Sequence, residues 1–435
     1  MRRLLAAVLL LLTAWPAAAQ KIERVVSPGG IEAWLVEERS IPMLTLDFAL
    51  RDAGSSRDPD GREGLAELLA AMLSEGAGDL SSQDFKRATE ALGIELGFGA
   101  GRDHFTGRLR TLTRHRERAF ELMRLALTKP RLDAEPLERL RRQVLSGLAR
   151  RDEDLRGTAS RTWFETAFPG HPYARQGRGT EAGVKALGGD DLRAFLGQRL
   201  ARDRLVVGVV GDIGKDELAR QLDRIFGDLP ATAAPLPPIA DAVPQGAGIK
   251  VLRRPAPQAQ VMFGLPGVKR DDPDYYAAYL MNYVLGGGGF VSRLYREVRE
   301  KRGLAYSVFS YLSPMERAGV YLGGFGTENA RVAEALGVVR EQLERMRRDG
   351  LSEAELADAK TFVTGNFPLQ LDSSSKISGT LVAIQLERLG IDFLARRNAL
   401  FEAVTVDDIR RVAQRLLDPA KLLTVVVGQP VGVDG

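Results

Sequence analysis

Arg299 and Tyr306 stand seven residues apart in the segment Arg299-Glu-Lys-Arg-Gly-Leu-Ala-Tyr306. A guanidinium and a phenol at this spacing, on either side of a helix stop at Gly303, can both face one cleft. There they can donate hydrogen bonds to a peptide carbonyl and to the oxyanion that develops when water adds to it. Four consecutive glycines, Gly286, Gly287, Gly288 and Gly289, precede this segment. They suit a loop whose backbone contacts a passing peptide, or equally a flexible entry to a helix capped near Ser292. A phosphate loop is a poor fit, because no Gly-Lys-Ser/Thr follows and a G-x-G-x-x-G fingerprint fails at Val291.

Other chemistry-bearing residues are sparse. The chain has no cysteine, which removes every thiolate metal site and every cysteine nucleophile. Its three histidines lie far apart: His104 beside Asp103 in an alternating run, His115 among arginines at a helix start, and His171 in a Pro-Gly-His-Pro turn. No two are spaced as a metal pair, and all three read as structural or surface residues. Ser373-Ser-Ser-Lys376 matches the S-x-x-K pattern of serine acyl-enzymes, but neither S-D-N nor K-T-G accompanies it. A helix cap is the simpler reading of Ser373.

The elements that hold these residues are organised as a duplication. A chain of 435 residues is long for one core and implies at least two domains. A Pro/Ala-rich stretch over 230–248 reads as a linker, dividing the chain into 20–229 and 249–435. Asp190-Asp191-Leu-Arg opens a helix followed by the strand Leu205–Gly211. Asp407-Asp408-Ile-Arg opens another, followed by Leu422–Gly428, at a constant offset of 217 residues. Strand runs, then long amphipathic helices, occur in both halves: Ile94 to Leu112 before Arg116–Thr128 and Pro136–Arg151, and Tyr306 to Gly324 before Val332–Asp349 and Glu353–Phe367. The expected fold is therefore α+β, two copies of one domain with antiparallel-rich sheets and packed helices.

Arg2 and Arg3, an apolar run from Leu4 to Leu12 and Ala17-Ala-Ala predict a cleaved signal peptide over 1–19 and a periplasmic protein. Its removal lowers the formal net charge from +4 to +2. No later run is apolar for long enough to span a bilayer. No sustained basic block or aromatic–basic interleaving points to nucleic acid.

Taken together, the duplicated halves, the linker and the glycine–arginine–tyrosine segment resemble the M16 (pitrilysin-like) peptidases, in particular the bacterial branch in which two chains pair. Gly286-Gly-Gly-Gly-Phe-Val-Ser-Arg-Leu294 and Arg296-Glu-Val-Arg-Glu-Lys-Arg-Gly-Leu-Ala-Tyr306 carry the likeness, which extends over the mature chain. The segment Gly64 to Gly76 falls where that family has His-x-x-Glu-His, two zinc-binding histidines around a water-activating glutamate. The matching positions here are Glu67, Ala70 and Ala71, and the slot of the third ligand, a glutamate, falls at Gly147 between Ser146 and Leu148. Glu67 reads as a solvent-facing residue opposite the apolar face Leu65, Leu68, Leu69, Met72 and Leu73. The resemblance thus implies a chain that binds no cofactor and is inactive alone. Zinc is expected on a homologous partner with an intact motif, to which Arg299 and Tyr306 are supplied in trans to act on an extended peptide. The alternative it leaves open is a peptide-binding or scaffold protein of the core-subunit kind, with no part in hydrolysis.

Overall fold

The computed structural model describes residues 21–175 and 177–434, so the expected signal segment lies outside the described residues. The first half runs β1 (Glu23–Val26), β2 (Glu32–Glu37), β3 (Met43–Arg51), α1 (Leu65–Met72), α2 (Ser82–Glu90), β4 (Glu95–Ala100), β5 (His104–Leu112), α3 (Arg116–Thr128), α4 (Ala134–Glu153), α5 (Leu155–Ala167), α6 (Glu181–Ala186), α7 (Gly189–Arg199), β6 (Leu205–Gly211) and α8 (Lys215–Phe226). The second runs β7 (Gly248–Arg253), β8 (Gln258–Pro266), α9 (Tyr275–Asn282), β9 (Val308–Pro314), β10 (Gly319–Glu328), α10 (Val332–Asp349), α11 (Glu353–Gly365), α12 (Ser374–Leu386), α13 (Phe393–Glu402), α14 (Val406–Leu416) and β11 (Leu423–Gly428).

The sheets show the duplication directly. The first has the order β1-β2-β6-β3-β5-β4 and the second β7-β11-β8-β10-β9. In each, the last strand of the half inserts beside its first long strand: β6 is parallel to β2 and antiparallel to β3, and β11 is parallel to β7 and antiparallel to β8. Such a central strand is covered on both faces, which is why LVVGVVG and LTVVVG are apolar at nearly every position. Of the paired aspartates, the second of each pair is the cap: Asp191 accepts from the Gly188 amide at 2.7 Å and Asp408 from the Thr405 amide at 2.9 Å.

One face of each sheet packs on helices of its own half, around Leu46, Phe48, Leu69 and Phe120 in the first and Phe263, Tyr321, Leu336 and Val426 in the second. The other face is covered by a helix from the opposite half. α5 buries Trp163 on β8 and β11, where the indole donates to the Leu423 carbonyl at 3.2 Å. α12 lies on β3 and β6, with Leu381 and Ile384 against Trp34, Val36 and Val210. The strands accommodate this with glycine: a Cβ at Gly264 would sit 2.4 Å from Trp163, and one at Gly208 would sit 2.6 Å from the Ser378 carbonyl. The sheets therefore divide at the expected linker, and the helix layer interlocks across it. Between α8 and β7 the chain has no helix or strand but is held by backbone bonds, Ala234 to Gln198 at 2.9 Å and Ala242 to Arg317 at 2.8 Å. Among the described residues no helix is long and apolar enough to cross a membrane.

Candidate functional site

The glycine run begins where α9 widens into a π-helical turn, Tyr283–Gly287, closed by a bond from the Gly288 amide to the Tyr283 carbonyl at 2.8 Å. Of the four glycines expected to meet a peptide, Gly286 is a correction. It is buried, and a Cβ there would lie 2.3 Å from Ser310 Oγ. That oxygen accepts from the Tyr321 hydroxyl at 2.7 Å and donates to Asn282 Oδ1 at 2.8 Å, so Gly286 makes room for a buried polar relay. Gly287 and Gly289 are exposed, and Gly289 has φ +60°, a conformation that glycine adopts without strain. The expected cap is present: Ser292 Oγ donates to the Gly289 carbonyl at 2.7 Å and accepts from the Tyr295 amide at 3.4 Å.

A second π-helical turn, Tyr295–Glu300, carries Arg299. It stops at Gly303, φ +57°, whose amide donates to the Arg299 carbonyl at 2.8 Å, and Arg331 clamps the stop by donating to the Arg302 and Gly303 carbonyls, each at 2.9 Å. Tyr306 leaves this turn before β9 begins at Val308 and is 84% exposed, so it is a loop residue and not part of the sheet. The two residues do come together. The Arg299 guanidinium lies 4.8 Å from the Tyr306 ring centroid, 4.7 Å from that of Tyr295 and 6.0 Å from that of Phe290. Phe290 is 71% exposed and Val291 60%, so an apolar rim surrounds the pair. Glu297, two residues before Arg299 on this turn, is occupied by Lys301 at 2.6 Å and Arg302 at 2.7 Å. Arg299 has no carboxylate partner among the described residues and keeps its donors available.

Arg293 is the supporting residue that the sequence reading missed. It is buried, and its Nε and Nη2 donate to the Glu355 carboxylate at 2.9 and 2.6 Å, with Nη2 also donating to the Gly350 carbonyl at 3.1 Å. This bidentate pair ties the glycine loop to α11. Burial alone raises the pKa of Glu355, but the bonds from Arg293 and Ser352 prevail and bring it down to about 2. The only signal in the sequence was an arginine inside an otherwise small and apolar run.

The other expected site lies where α1 and α4 pack together. α1 is fixed by Asp58, which accepts from the Gly64 and Ala66 amides at 2.8 and 3.0 Å and which burial pushes up to about 7. Ala70 is buried, Ala71 half-buried, and a Cβ at Gly147 would meet nothing within 4 Å. Glu67 is not the solvent-facing residue expected: it is half-buried, with Arg178 Nε 3.8 Å from its carboxylate. These four positions offer one carboxylate and no imidazole, with a cation already beside it. They do not fit a zinc ion. Elsewhere too, no group of three or more His, Asp or Glu able to hold a metal occurs among the described residues.

The histidines are structural. His171 Nδ1 accepts from the Tyr173 amide at 3.1 Å, His115 sits 3.0 Å from Arg114 Nε, and His104 lies half-buried, where burial depresses its pKa. Ser373 caps α12 by accepting from the Lys376 amide at 3.4 Å, while Lys376 Nζ donates to Asp372 at 2.8 Å. That lysine is engaged by a carboxylate and does not face a nucleophile.

Known proteins share this fold. Residues 50–181 match the model of the insulinase family (peptidase family M16), and residues 186–363 match that of the peptidase M16 inactive domain. A crystal structure of a peptidase M16 inactive domain from Pseudomonas fluorescens superposes with a TM-score of 0.89 at 30% identity, covering 95% of this chain and 99% of that one. The chain belongs to the M16 peptidase family. Curated M16 relatives differ in what they are called. An uncharacterized zinc protease of Streptomyces coelicolor is 28% identical over 93% of this chain and 89% of its own length, and the non-peptidase homolog YmxG of Helicobacter pylori is 28% identical over 79% of each. The M16 inactive-domain match spans α7 to α11 and so includes the glycine loop, Arg299 and Tyr306.

Proposed function

We propose that this chain is the non-catalytic, substrate-binding subunit of a two-chain M16 peptidase, working in the periplasm after removal of its signal peptide. The partner, a homologous chain with an intact His-x-x-Glu-His motif, brings the zinc. This chain brings Arg299 and Tyr306. The observation that carries the reading is the contrast between two positions of one molecule. The α1–α4 site has lost its donors, whereas Arg299 stands beside Tyr306, free of carboxylates and backed by aromatic rings.

The roles follow from the chemistry of the groups. The Arg299 fork holds a substrate carbonyl, and its charge is little screened because the Tyr295 and Phe290 rings exclude water from one side. The Tyr306 hydroxyl donates to the oxygen that gains charge as the carbonyl becomes tetrahedral. Gly287 and Gly289 leave backbone accessible next to them. An extended peptide also finds an open sheet edge in β4, which among the described residues pairs only with β5 and lies beside α1.

Co-purification tests the assembly. The chain, mixed with a zinc-bearing M16 homologue from the same cell, is expected to elute as a complex, with zinc in the complex and none in this chain alone. A stoichiometric, tightly held divalent ion on the isolated chain would contradict the reading.

A further inference from the structure

A cavity of about 260 Å³ lies between the end of α4, the face of α5, the β4–β5 turn and the residues around Ala174 and Arg175. Its wall carries Arg102, Arg151 and Arg175, with Ser160 and Phe164 from α5; its acid, Asp154, is committed to capping α5 through the Arg156 and Gly157 amides, both at 3.0 Å. Arg175 is anchored, donating to the Asp58 carbonyl at 2.7 Å and pairing with Asp60. Arg102 and Arg151 are not. The Arg102 guanidinium lies 4.3 Å above the Phe164 ring and 5.4 Å from Tyr173, and among the described residues its one hydrogen bond goes to the Met315 sulfur at 3.4 Å. Among the described residues Arg151 has no side-chain hydrogen bond or ion pair; the charges of Arg178 and Arg161 oppose its own, and those of Glu67 and Asp154 favour it. Burial pushes both guanidiniums below their ordinary pKa, although Asp103 near Arg102, and Glu67 and Asp154 near Arg151, act in the opposite direction.

The position gives this charge a meaning. Arg151 is one helical turn beyond Gly147 on the same face of α4, and Glu67 is within electrostatic range of it. The cavity therefore adjoins the face where the M16 fold otherwise holds a dication, and guanidiniums stand there instead. We infer that this cavity takes a carboxylate carried by an extended peptide, either an acidic side chain or a free C-terminus. Its size suits one such group and excludes a nucleotide, and a planar guanidinium fork matches a carboxylate in two parallel hydrogen bonds. This deepens the substrate-binding reading above by naming the substrate class. Its test needs neither partner nor hydrolysis, so a failure here is distinct from a failure of the trans role.

The test is fluorescence anisotropy on the isolated mature chain with three labelled peptides of one length. The first has an internal glutamate and an amidated end, the second glutamine in its place and a free C-terminus, and the third glutamine and an amidated end. The expected result is that at least one carboxylate-bearing peptide binds about 10-fold tighter than the neutral one, since a charge-assisted pair discriminates by roughly that factor. Which of the two binds tells side chain from C-terminus. Arg151→Gln, at an accessible helix end, and Arg102→Met, each checked by thermal melting, are expected to abolish the preference, with Arg151→Gln alone sufficient if Arg102→Met does not fold. No preference in the wild type, whether all three peptides bind equally, none binds, or only inorganic phosphate competes, overturns the inference. So does a preference that survives Arg151→Gln.

Discussion

Whether a side chain serves chemistry or structure is decided by its neighbours, and Arg299 and Arg293 illustrate the two outcomes within one loop. Arg293 meets Glu355 in a buried fork, whereas Arg299 meets only aromatic faces. Replacing Arg293 by methionine is expected to loosen the loop and lower stability by about 3–5 kcal/mol, because it strands a half-buried carboxylate, as read by urea unfolding. The same pair sets a pH dependence. Glu355 is depressed to about 2 in the folded chain from an ordinary 4.5, so its contribution is complete above pH 4.5 and is lost as the pH falls through 2. The stability difference between wild type and Glu355→Gln is therefore expected to be constant from pH 7 down to about 4.5 and to shrink steadily below it. Ser373 gives the opposite kind of prediction: as a cap, Ser373→Ala costs about 1 kcal/mol of stability and leaves peptide hydrolysis by the assembled pair unchanged.

At the scale of elements, the interlocked helices have the clearest consequence. Trp163 of α5 is fully buried on the second sheet, so Trp163→Ala is expected to cost about 3–5 kcal/mol and to destabilise the second half, although the residue belongs to the first. Chains cut at the linker are expected to aggregate when made singly, since each sheet then exposes an apolar face, and to recover a folded circular dichroism spectrum when coexpressed. This exchange was not legible in the sequence. α5 and α12 look like any amphipathic helix near a half's middle, and hydrophobic periodicity says that a face is buried without saying against which sheet. Local patterns did carry the rest: the Asp-Asp helix starts and the continuous apolar strands after them placed β6 and β11 and revealed the repeat. The site was legible in the same uneven way. The Arg–Gly–Tyr spacing around a helix stop placed Arg299 and Tyr306 together. The role of Gly286 was hidden, because it depends on Ser310, which reaches it only through the sheet. Glu67 was misjudged for a like reason, since Arg178 approaches it from a segment more than a hundred residues away.

At the scale of the whole molecule, the chain is an M16 fold with one site emptied of metal donors and another left with unpaired hydrogen-bond donors, a combination that makes sense in an assembly. The central claim is that Arg299 and Tyr306 act on a substrate held at another chain's zinc. The most direct measurement is kcat/KM for peptide hydrolysis by a saturated complex of this chain with its zinc-bearing homologue, comparing wild type with Arg299→Ala and Tyr306→Phe, all verified to bind the partner equally. The account predicts a fall of about 10²–10³ for each variant, the usual effect of losing one oxyanion donor. Equal rates for all three complexes would contradict it.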